Sequence, residues 1–276
     1  MASSLCINAG DPTIFDEDGT RSDMGAYPYT NSYSGPDWYV SIEGNDHTGT
    51  GSVSNPFASI QAGINAATTP GDSVSVAPGT YVENINFRGR AIKVFGEQGA
   101  EQTIIDGDSS GSVVTFNSAE SSNSQLAEFT IQNGLAEQGG GIYCHDASPK
   151  LVSLNISENS SSSDWGGGGV FLYGYANPFI DRCVINNNLG QGVFLWNSTV
   201  EMSGCQISNN SLSGIWYYGE QFGGASVLMN CTITDNGDNG INLGHLDQHP
   251  ILTNSIIHGN NGQQLIIDEN DNPIVT

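Results

Sequence analysis

Positive charge is what this sequence has least of. Its 276 residues include 6 Lys and Arg against 29 Asp and Glu, which gives a formal net charge of −23. Nucleic-acid binding requires a basic face that neutralises phosphates, so nucleic acid is not an expected partner. The same deficit disfavours anionic membrane surfaces. The acidic excess favours solubility in a salty or extracellular medium, and it is also compatible with calcium dependence.

Long hydrophobic runs are also missing. No apolar stretch approaches the roughly 20 residues that a membrane-spanning helix needs, so membrane insertion is not predicted. Met1 is not followed by the apolar segment of a secretory signal peptide. Hydrophobic residues nevertheless make up 37% of the chain, which is sufficient for a large core. The 36 glycines favour a turn-rich all-β fold over a helical one.

Cysteine is scarce, and its positions argue against a disulfide framework. Three of the five cysteines stand two residues before an isoleucine of a repeat, where other copies of the repeat carry Leu154 or Ser255. A small side chain in an inward column explains this placement. The pattern predicts that four thiols are reduced and buried: Cys144, Cys183, Cys205 and Cys231.

What the chain does contain is a repeated Ile-x-x-Asn motif. Its copies end in Asn159, Asn188, Asn210, Asn236 and Asn260, and a weaker copy is Ile131-Gln132-Asn133-Gly134. A repeat length in the twenties, with short apolar strands and no helical periodicity, predicts a parallel β-helix. An amide both donates and accepts, so each asparagine can bond its copy in the next coil. The motif therefore predicts an asparagine ladder.

A second motif, Gly-[Ile/Val] followed by three residues, begins at Gly141, Gly169, Gly192, Gly214 and Gly240. Alternating side chains point to opposite faces of a strand. One predicted inward column is Ile142, Val170, Val193, Ile215 and Ile241. The next is Cys144, Leu172, Leu195, Tyr217 and Leu243. The intervening residues are predicted to point outward.

The first part of the chain contains one credible helix, at about residues 56–67. Phe57, Ile60, Ile64 and Ala67 share one face of it, as expected for a helix that covers the open end of a solenoid core. The predicted β-helix spans residues 37–276, and its regular coils occupy about 126–267.

Three stretches resemble the opening of secreted and cell-surface right-handed parallel β-helix proteins of the pectin-lyase-like superfamily: residues 38–41 (WYVS), 55–62 (NPFASIQA) and 71–81 (GDSVSVAPGTY). Glycine runs at 139–141 and 166–169 resemble repeats of bacterial surface β-helix proteins. The resemblance covers about residues 38–267. It implies an all-β, right-handed parallel β-helix with an N-terminal capping helix, in a secreted or cell-surface protein. It implies no single activity, because the superfamily includes lyases, hydrolases, epimerases and adhesins.

Residues 1–36 form an acidic segment that resembles the closing part of a preceding β-helix module. We therefore expect the chain to be a slice of a larger protein whose adjacent modules are its partners. Asp16, Asp18, Thr20 and Asp23 offer oxygen ligands in a glycine-containing turn, as a calcium loop does. The alternative is a turn in which Asp side chains bond their own backbone.

Seven aromatic residues are predicted to form one outward surface, here called the aromatic strip: Tyr143, Phe171, Tyr173, Phe194, Trp196, Trp216 and Tyr218.

 

Outward positions on a soluble sheet are normally polar, so a contiguous aromatic surface marks an interaction site. Aromatic rings suit the apolar faces of sugars, and the resemblance implies a polysaccharide cleft on an outward parallel sheet. The alternative is that loops or a neighbouring module cover the strip.

Catalysis has less support in the sequence. A polysaccharide lyase needs a base and a cation that neutralises the uronate carboxylate. His145, Asp146 and Lys150 are the candidate catalytic residues, but one imidazole without a clear cationic neighbour is an incomplete site. The leading hypothesis is a non-catalytic module that binds polysaccharide or a cell-surface glycan. The alternatives are a polysaccharide lyase or glycoside hydrolase that uses the same cleft, and a structural repeat or adhesin stalk without ligand.

Overall fold

A computed structural model describes residues 33–163, 165–219, 224–244 and 249–266. Over these residues the chain forms a right-handed parallel β-solenoid of about seven turns. Each coil passes through a first, a second and a third parallel sheet, and the three sheets enclose one continuous apolar core. The predicted all-β, right-handed parallel β-helix is confirmed.

Short strands build the three sheets, each strand pairing with its counterpart one coil away. The first sheet contains Asp37–Val40, Ser73–Val76, Lys93–Gly96, Gln125–Ala127, Lys150–Val152, Phe179–Asp181, Glu201–Ser203, Val227–Met229 and Ile251–Thr253. The second contains Gly79–Val82, Thr103–Asp106, Thr130–Gln132, Asn155–Ser157, Val184–Asn186, Gln206–Ser208, Thr232–Thr234 and Ile256–His258. The third contains Ile85–Asn86, Val114–Phe116, Ile142–His145, Val170–Tyr173, Val193–Trp196, Ile215–Tyr218, Ile241–Gly244 and Leu265–Ile266. A two-stranded pair joins Leu135–Ala136 to Ser160–Ser161.

Corners between the sheets depend on residues in the left-handed backbone conformation. The corner from the first to the second sheet uses Ser153, Arg182, Gly204, Asn230 and Asn254. The corner from the second to the third sheet uses Glu158, Asn187, Asn209, Asp235 and Gly259. Glycine, asparagine and aspartate adopt this conformation at the lowest cost, and they hold seven of these ten corner positions.

Both predicted inward columns are present. Ile142 aligns with Val170, and the same register continues to the strands that follow along the third sheet. All ten side chains of the two columns are at most 1% exposed. Since each coil adds two such side chains from this sheet, the core grows in equal steps along the solenoid axis.

The asparagine ladder is confirmed as an unbroken chain of side-chain hydrogen bonds. The Nδ2 groups of Asn159, Asn188, Asn210 and Asn236 each donate to Oδ1 of the next ladder asparagine, at 3.1, 2.9, 3.0 and 2.8 Å. Gln264 Oε1 accepts from Asn260 Nδ2 at 3.0 Å and continues the column. Backbone N–H groups of the ladder asparagines donate to the same oxygens. The ladder thus uses both the donor and the acceptor of each amide.

The weak first copy of the motif has Gly134 at the ladder position. A Cβ atom there would lie 1.9 Å from the carbonyl oxygen of Gly140, so no asparagine fits. The N–H of Gly134 instead donates to Asn159 Oδ1 at 2.9 Å. A backbone amide therefore begins the column.

The Gly-[Ile/Val] motif packs directly on the ladder. A Cβ atom on Gly192 would lie 2.8 Å from Asn210 Nδ2 and 2.7 Å from the Gly214 oxygen. The other four glycines of the motif have the same relation to their ladder asparagines, at 2.7–3.1 Å. The two sequence motifs are thus one packing unit, because a side chain at any glycine of this column would displace a ladder amide.

The four predicted thiols are buried and free of disulfide bonds: Cys144, Cys183, Cys205 and Cys231. Sγ of Cys205 lies 3.4 Å from the oxygen of Ser203, two residues earlier, and Cys183 and Cys231 make the same contact. Ser255 Oγ donates to the Thr253 oxygen in the corresponding place. Four members of the column therefore make a hydrogen bond at the corner, whereas Leu154 fills the same place as a buried hydrophobe.

The capping helix is shorter than predicted, Ile60–Ala66. Phe57 forms a β-bridge with Val40, and Ser59 has an extended backbone as the N-cap residue, so helical geometry begins only at Ile60. The predicted apolar face is correct, because its four members are at most 1% exposed. The helix packs on the first strands of the solenoid and covers that end of the core.

A carboxylate from the second-sheet side of the solenoid fixes the start of this helix. Glu83 accepts from the N–H groups of Ile60 and Gln61 at 2.7 and 3.0 Å. Burial raises the pKa of Glu83, although the two N–H groups favour its charged form. Ser59 Oγ satisfies a third N–H, that of Ala62. The helix terminus is therefore anchored to the coil that it covers.

The segment before the first strand is mostly outside the described residues. Tyr33 Oη donates to the carbonyl oxygen of Asp37 at 2.6 Å, and the strand Asp37–Val40 opens the first sheet. The predicted domain boundary between residues 36 and 37 stays a prediction. In the described ranges, no helix is long and apolar enough to cross a membrane.

Candidate functional site

The aromatic strip lies on the outer face of the third sheet, in the predicted register. One outward column is Tyr143, Phe171, Phe194, Trp216 and Asn242, and the other is His145, Tyr173, Trp196, Tyr218 and Gly244. Four consecutive coils thus carry two aromatic rings each, His145 counted as one. Paired strands lie about 4.8 Å apart, so neighbouring rings in a column are forced into contact.

Ring packing differs between the two columns. In the first column, Phe171 stacks on Tyr143 and on Phe194, with centroids 5.9 and 5.5 Å apart and interplanar angles of 4° and 7°. In the second column, Trp196 is edge-on to both Tyr173 and Tyr218, at 81° and 84°. Both arrangements are favourable for aromatic pairs. The first column is stacked from Tyr143 to Phe194 and becomes edge-on at Trp216, at 70°, and the second presents alternating faces and edges.

Burial corrects part of the predicted contact surface. Phe171 and Phe194 are fully buried, at 0% exposure, so they cannot touch a ligand in this arrangement. The other five members of the strip are half-buried and keep exposed surface. Burial of these two rings agrees with the alternative that the strip is covered, and ligand contact by its other members stays a prediction.

The glycine run 166–169 packs against part of the strip. A Cβ atom on Gly167 would lie 3.1 Å from Cβ of Phe194, so the loop backbone lies directly against that side chain. Trp165 reaches across to Trp216 and Tyr218, with ring centroids 5.4 and 5.1 Å apart. Its side chain is 46% exposed. Trp165 thus extends the aromatic surface beyond the third sheet.

Sequence reasoning missed Trp165 because it lies outside the repeat. The signal was an aromatic residue directly before a run of four glycines, which allows close approach of backbone to a neighbouring surface. We call Trp165, Trp196, Trp216 and Tyr218 the tryptophan cluster. Trp216 Nε1 is buried and has no hydrogen-bond partner in the described part of the chain.

His145 and Asp146 lie at the edge of the strip, as predicted, but their geometry is that of a corner. Asp146 has a left-handed backbone, and its Oδ1 accepts from the N–H of Tyr175 at 2.9 Å. Its Oδ2 lies 3.3 Å from His145 Nε2, and both side chains are more than a third exposed. His145 also packs on Tyr173, with ring centroids 4.8 Å apart.

At this corner, the residue alternates from one coil to the next between Asp or Asn and glycine. Asp146 is followed one coil later by Gly174, then by Asn197 and Gly219, all four with positive φ. A Cβ atom on Gly174 would lie 2.3 Å from Asp146 Oδ1, and one on Gly219 would lie 2.1 Å from Asn197 Oδ1. Each Asp or Asn oxygen therefore occupies the space that the next coil leaves empty.

Lys150 does not join the other two catalytic candidates. It opens the strand Lys150–Val152 of the first sheet, whereas His145 ends a strand of the third sheet. Among the described residues, no hydrogen bond or ion pair joins Lys150 to His145 or Asp146. The three residues thus lie near one corner in sequence without forming a common site.

The predicted calcium ligands fall outside the described residues: Asp16, Asp18, Thr20 and Asp23. Calcium binding there stays a prediction. Within the ranges that the structure describes, no three His, Cys, Asp or Glu side chains are grouped as metal ligands.

Comparison with known protein families settles the kind of fold. The family described as "Right handed beta helix region" matches residues 64–276. This chain belongs to the right-handed β-helix family. No curated protein matches it in sequence.

Solved structures with the same β-helix fold include three enzymes named for pectic polysaccharides. The pectate lyase Pel9A has a TM-score of 0.63 and 18% identity, with 81% of this chain and 63% of that lyase covered. A rhamnogalacturonan lyase has a TM-score of 0.64 and 17% identity, with 82% and 69% covered. The pectin methylesterase from Aspergillus niger has a TM-score of 0.60 and 12% identity, with 87% and 83% covered.

These identities are low, and the chain spans less than two thirds of the pectate lyase. The likeness therefore establishes a shared fold with pectin-lyase-like proteins and no more than that.

Proposed function

We propose that this β-helix is a carbohydrate-interacting module of a larger secreted or cell-surface protein, and that it binds polysaccharide or a cell-surface glycan on the aromatic strip. The tryptophan cluster carries the proposal, because three of the four tryptophans of the chain converge there with exposed surface. Scattered exposed aromatics need no explanation, but a contiguous group marks an interaction surface.

The chemistry of the cluster suits a sugar chain. Ring faces of tryptophan and tyrosine pack on apolar C–H faces, while the Trp N–H and Tyr O–H groups at the ring edges bond to hydroxyls. Partial burial raises the pKa of Tyr143, so its hydroxyl stays protonated and available as a donor. The aromatic strip, which includes Tyr143, therefore offers both kinds of contact that a polyhydroxylated ligand requires.

Binding has more support than catalysis in the same cleft. One oxygen of Asp146 is engaged by the backbone of Tyr175, and Lys150 lies on a different sheet. A lyase or hydrolase would need a base and an electrostatic partner that converge on the substrate. The third hypothesis, a stalk without ligand, requires a neighbouring module to cover the tryptophan cluster. The pectic substrates in the names of the similar structures favour a polysaccharide over a protein partner.

Affinity electrophoresis of a double variant tests the proposal. Trp196→Ala with Trp216→Ala should lose retardation in gels that contain the bound polysaccharide, because two ring faces are removed. Phe179→Ala is the matched control, since Phe179 is a half-buried aromatic residue on the outer face of the first sheet. It should migrate like the wild type in the same gels.

Two results would contradict the proposal. Absence of retardation of the wild type by every acidic and neutral polysaccharide would favour the structural hypothesis. Equal retardation of the double variant and the wild type would place binding elsewhere. Ultraviolet absorbance of unsaturated products, measured on the same polysaccharides, would reveal lyase activity. Repeating the gels with a chelator tests whether calcium contributes.

A further inference from the structure

Charge is distributed unevenly around the tryptophan cluster. Residues 183–276 contain eight Asp and Glu and no Lys or Arg. The strands Val193–Trp196 and Ile215–Tyr218, which supply three of the four cluster residues, lie inside this stretch. Histidine aside, no residue after Arg182 in the sequence therefore carries a positive charge.

The cations near the N-terminal helix are engaged by the end of that helix. Arg88 Nη1 donates to Asn65 Oδ1 at 2.8 Å, and Arg90 Nη2 donates to the Asn65 carbonyl oxygen at 3.4 Å. Both contacts are with the end of the capping helix, which lies at the opposite end of the solenoid from Trp216.

The remaining described cations belong to the first sheet. Lys93 Nζ lies 4.3 Å from the ring centroid of Phe95 on that sheet, and Lys150 opens another of its strands. Arg182 forms an ion pair with Asp181 directly after a third strand. Arg21, the sixth cation of the chain, lies outside the described residues.

An acidic glycan would be poorly matched to such a surface. Packing a uronate against aromatic rings removes water from its carboxylate, which is costly unless a cation or hydrogen-bond donors replace that water. The net charge of −23 adds a long-range repulsion. Neutral sugar rings carry neither cost, and they keep the stacking energy of the ring faces.

We propose, resting on the proposed function, that the tryptophan cluster binds neutral glycans in preference to acidic ones, and that Trp165 is one of its binding residues. Trp165 forms the outer part of the cluster, 46% exposed and in ring contact with Trp216 and Tyr218. Its indole can pack on a sugar that lies along Trp196 and Tyr218. The loop that buries Phe194 thereby supplies the ring face that Phe194 cannot offer.

Matched polysaccharide pairs test the charge preference. Polygalacturonate and alginate are each compared with their carboxyl-reduced forms in affinity gels, together with xylan, glucomannan and galactan. At least one neutral polymer should retard the protein, with a dissociation constant about tenfold or more below that of any acidic polymer. Added NaCl should leave this retardation unchanged, because no ion pair forms.

The outcomes separate this inference from the proposed function. Retardation by an acidic polymer that equals or exceeds retardation by its carboxyl-reduced form overturns the charge preference and leaves glycan binding intact. Absence of retardation by all polymers overturns both.

Trp165→Ala tests the assigned residue. It should weaken retardation by the bound neutral polymer about tenfold, with an unchanged melting temperature, and Trp165→Tyr should restore part of the affinity. Tyr175→Ala is the control, since Tyr175 is 69% exposed and lies outside the cluster. Wild-type affinity in Trp165→Ala, or an equal loss in Tyr175→Ala, would remove Trp165 from the binding surface.

Discussion

The asparagine ladder adds one side chain per coil and the aromatic strip adds two, yet the more important difference lies in how much of their surface and bonding capacity remains unused. Every ladder amide from Asn159 to Asn236 gives its donor and its acceptor to neighbouring coils. The strip is buried at Phe171 and Phe194 and keeps exposed surface at its half-buried members Trp196, Trp216 and Tyr218. Repetition produces both features, so repetition alone does not distinguish a structural role from a binding role. A binding role is indicated by exposed surface and by hydrogen-bonding groups that the fold itself does not use.

The largest expected effect comes from breaking the ladder. Asn210→Leu removes the acceptor for the N–H and Nδ2 groups of Asn188 and the donor to the Ile185 oxygen. Several buried polar groups are left without partners, so the free energy of unfolding should fall by about 4 kcal/mol. Urea unfolding followed by circular dichroism measures the change.

Asn177→Leu is the control for this variant, because Asn177 is exposed and its side chain takes no part in the ladder. Its unfolding free energy should stay within about 0.5 kcal/mol of the wild type. Equal effects of the two substitutions would mean that the ladder contributes nothing specific.

The buried centre of the strip should behave like core. Phe194→Ala removes a fully buried ring that touches Phe171 and Trp216, which should cost about 3 kcal/mol of unfolding free energy. Tyr173→Ala, in the half-buried second column, should cost about 1 kcal/mol. If thermal and urea unfolding show the reverse order, the strip is exposed at its centre.

The packing of glycine on the ladder predicts a smaller loss of stability when that glycine is replaced. Gly192→Ala places a methyl group 2.8 Å from Asn210 Nδ2 and from a methyl of Ile207, so one of them has to move. The expected cost is about 2 kcal/mol of unfolding free energy. Gln206→Ala, at an exposed position of the second sheet, serves as the reference, and stability equal to that reference would show that the two motifs are independent.

Labelling of the cysteine thiols is the mildest test, because it leaves the residues of the core unchanged. Hydrogen bonding with Cys183, together with burial, raises the pKa of Cys205 to about 12, so almost no thiolate exists at neutral pH. In a Cys6→Ser background, the four remaining thiols should react with a maleimide only as fast as the protein unfolds. Rapid labelling of all four in buffer would mean that the cysteine column is not interior.

Sequence periodicity was sufficient to predict the coils, because all members of an inward column meet the same chemical requirement. Ile142 and Val170 occupy equivalent sites, and the ladder asparagines recur at fixed distance from them. The helix was located correctly but began too early in the prediction. Its first residues have apolar spacing typical of a helix, whereas the bridge between Val40 and Phe57 holds them extended.

The candidate site was only partly predictable, since its cover comes from outside the repeat. Alternation placed Phe194 outward, and the register is correct. Alternation says nothing about a loop that folds back across the sheet, and it therefore missed both the burial of Phe194 and the contribution of Trp165. The separation of Lys150 from His145 was hidden for a related reason, because a corner of a few residues carries the chain from one sheet to another.

At the corner after the third sheet, successive coils alternate between Asp or Asn and glycine. The solenoid can therefore be lengthened or shortened there only by two coils at a time. Removing a single coil at this corner would set Asp146 beside Asn197 or Gly174 beside Gly219. In the first case two side chains would compete for one space, and in the second that space would be empty. Duplication or deletion of coil pairs preserves the alternation, so lengths that differ by an even number of coils are the ones that this corner accommodates.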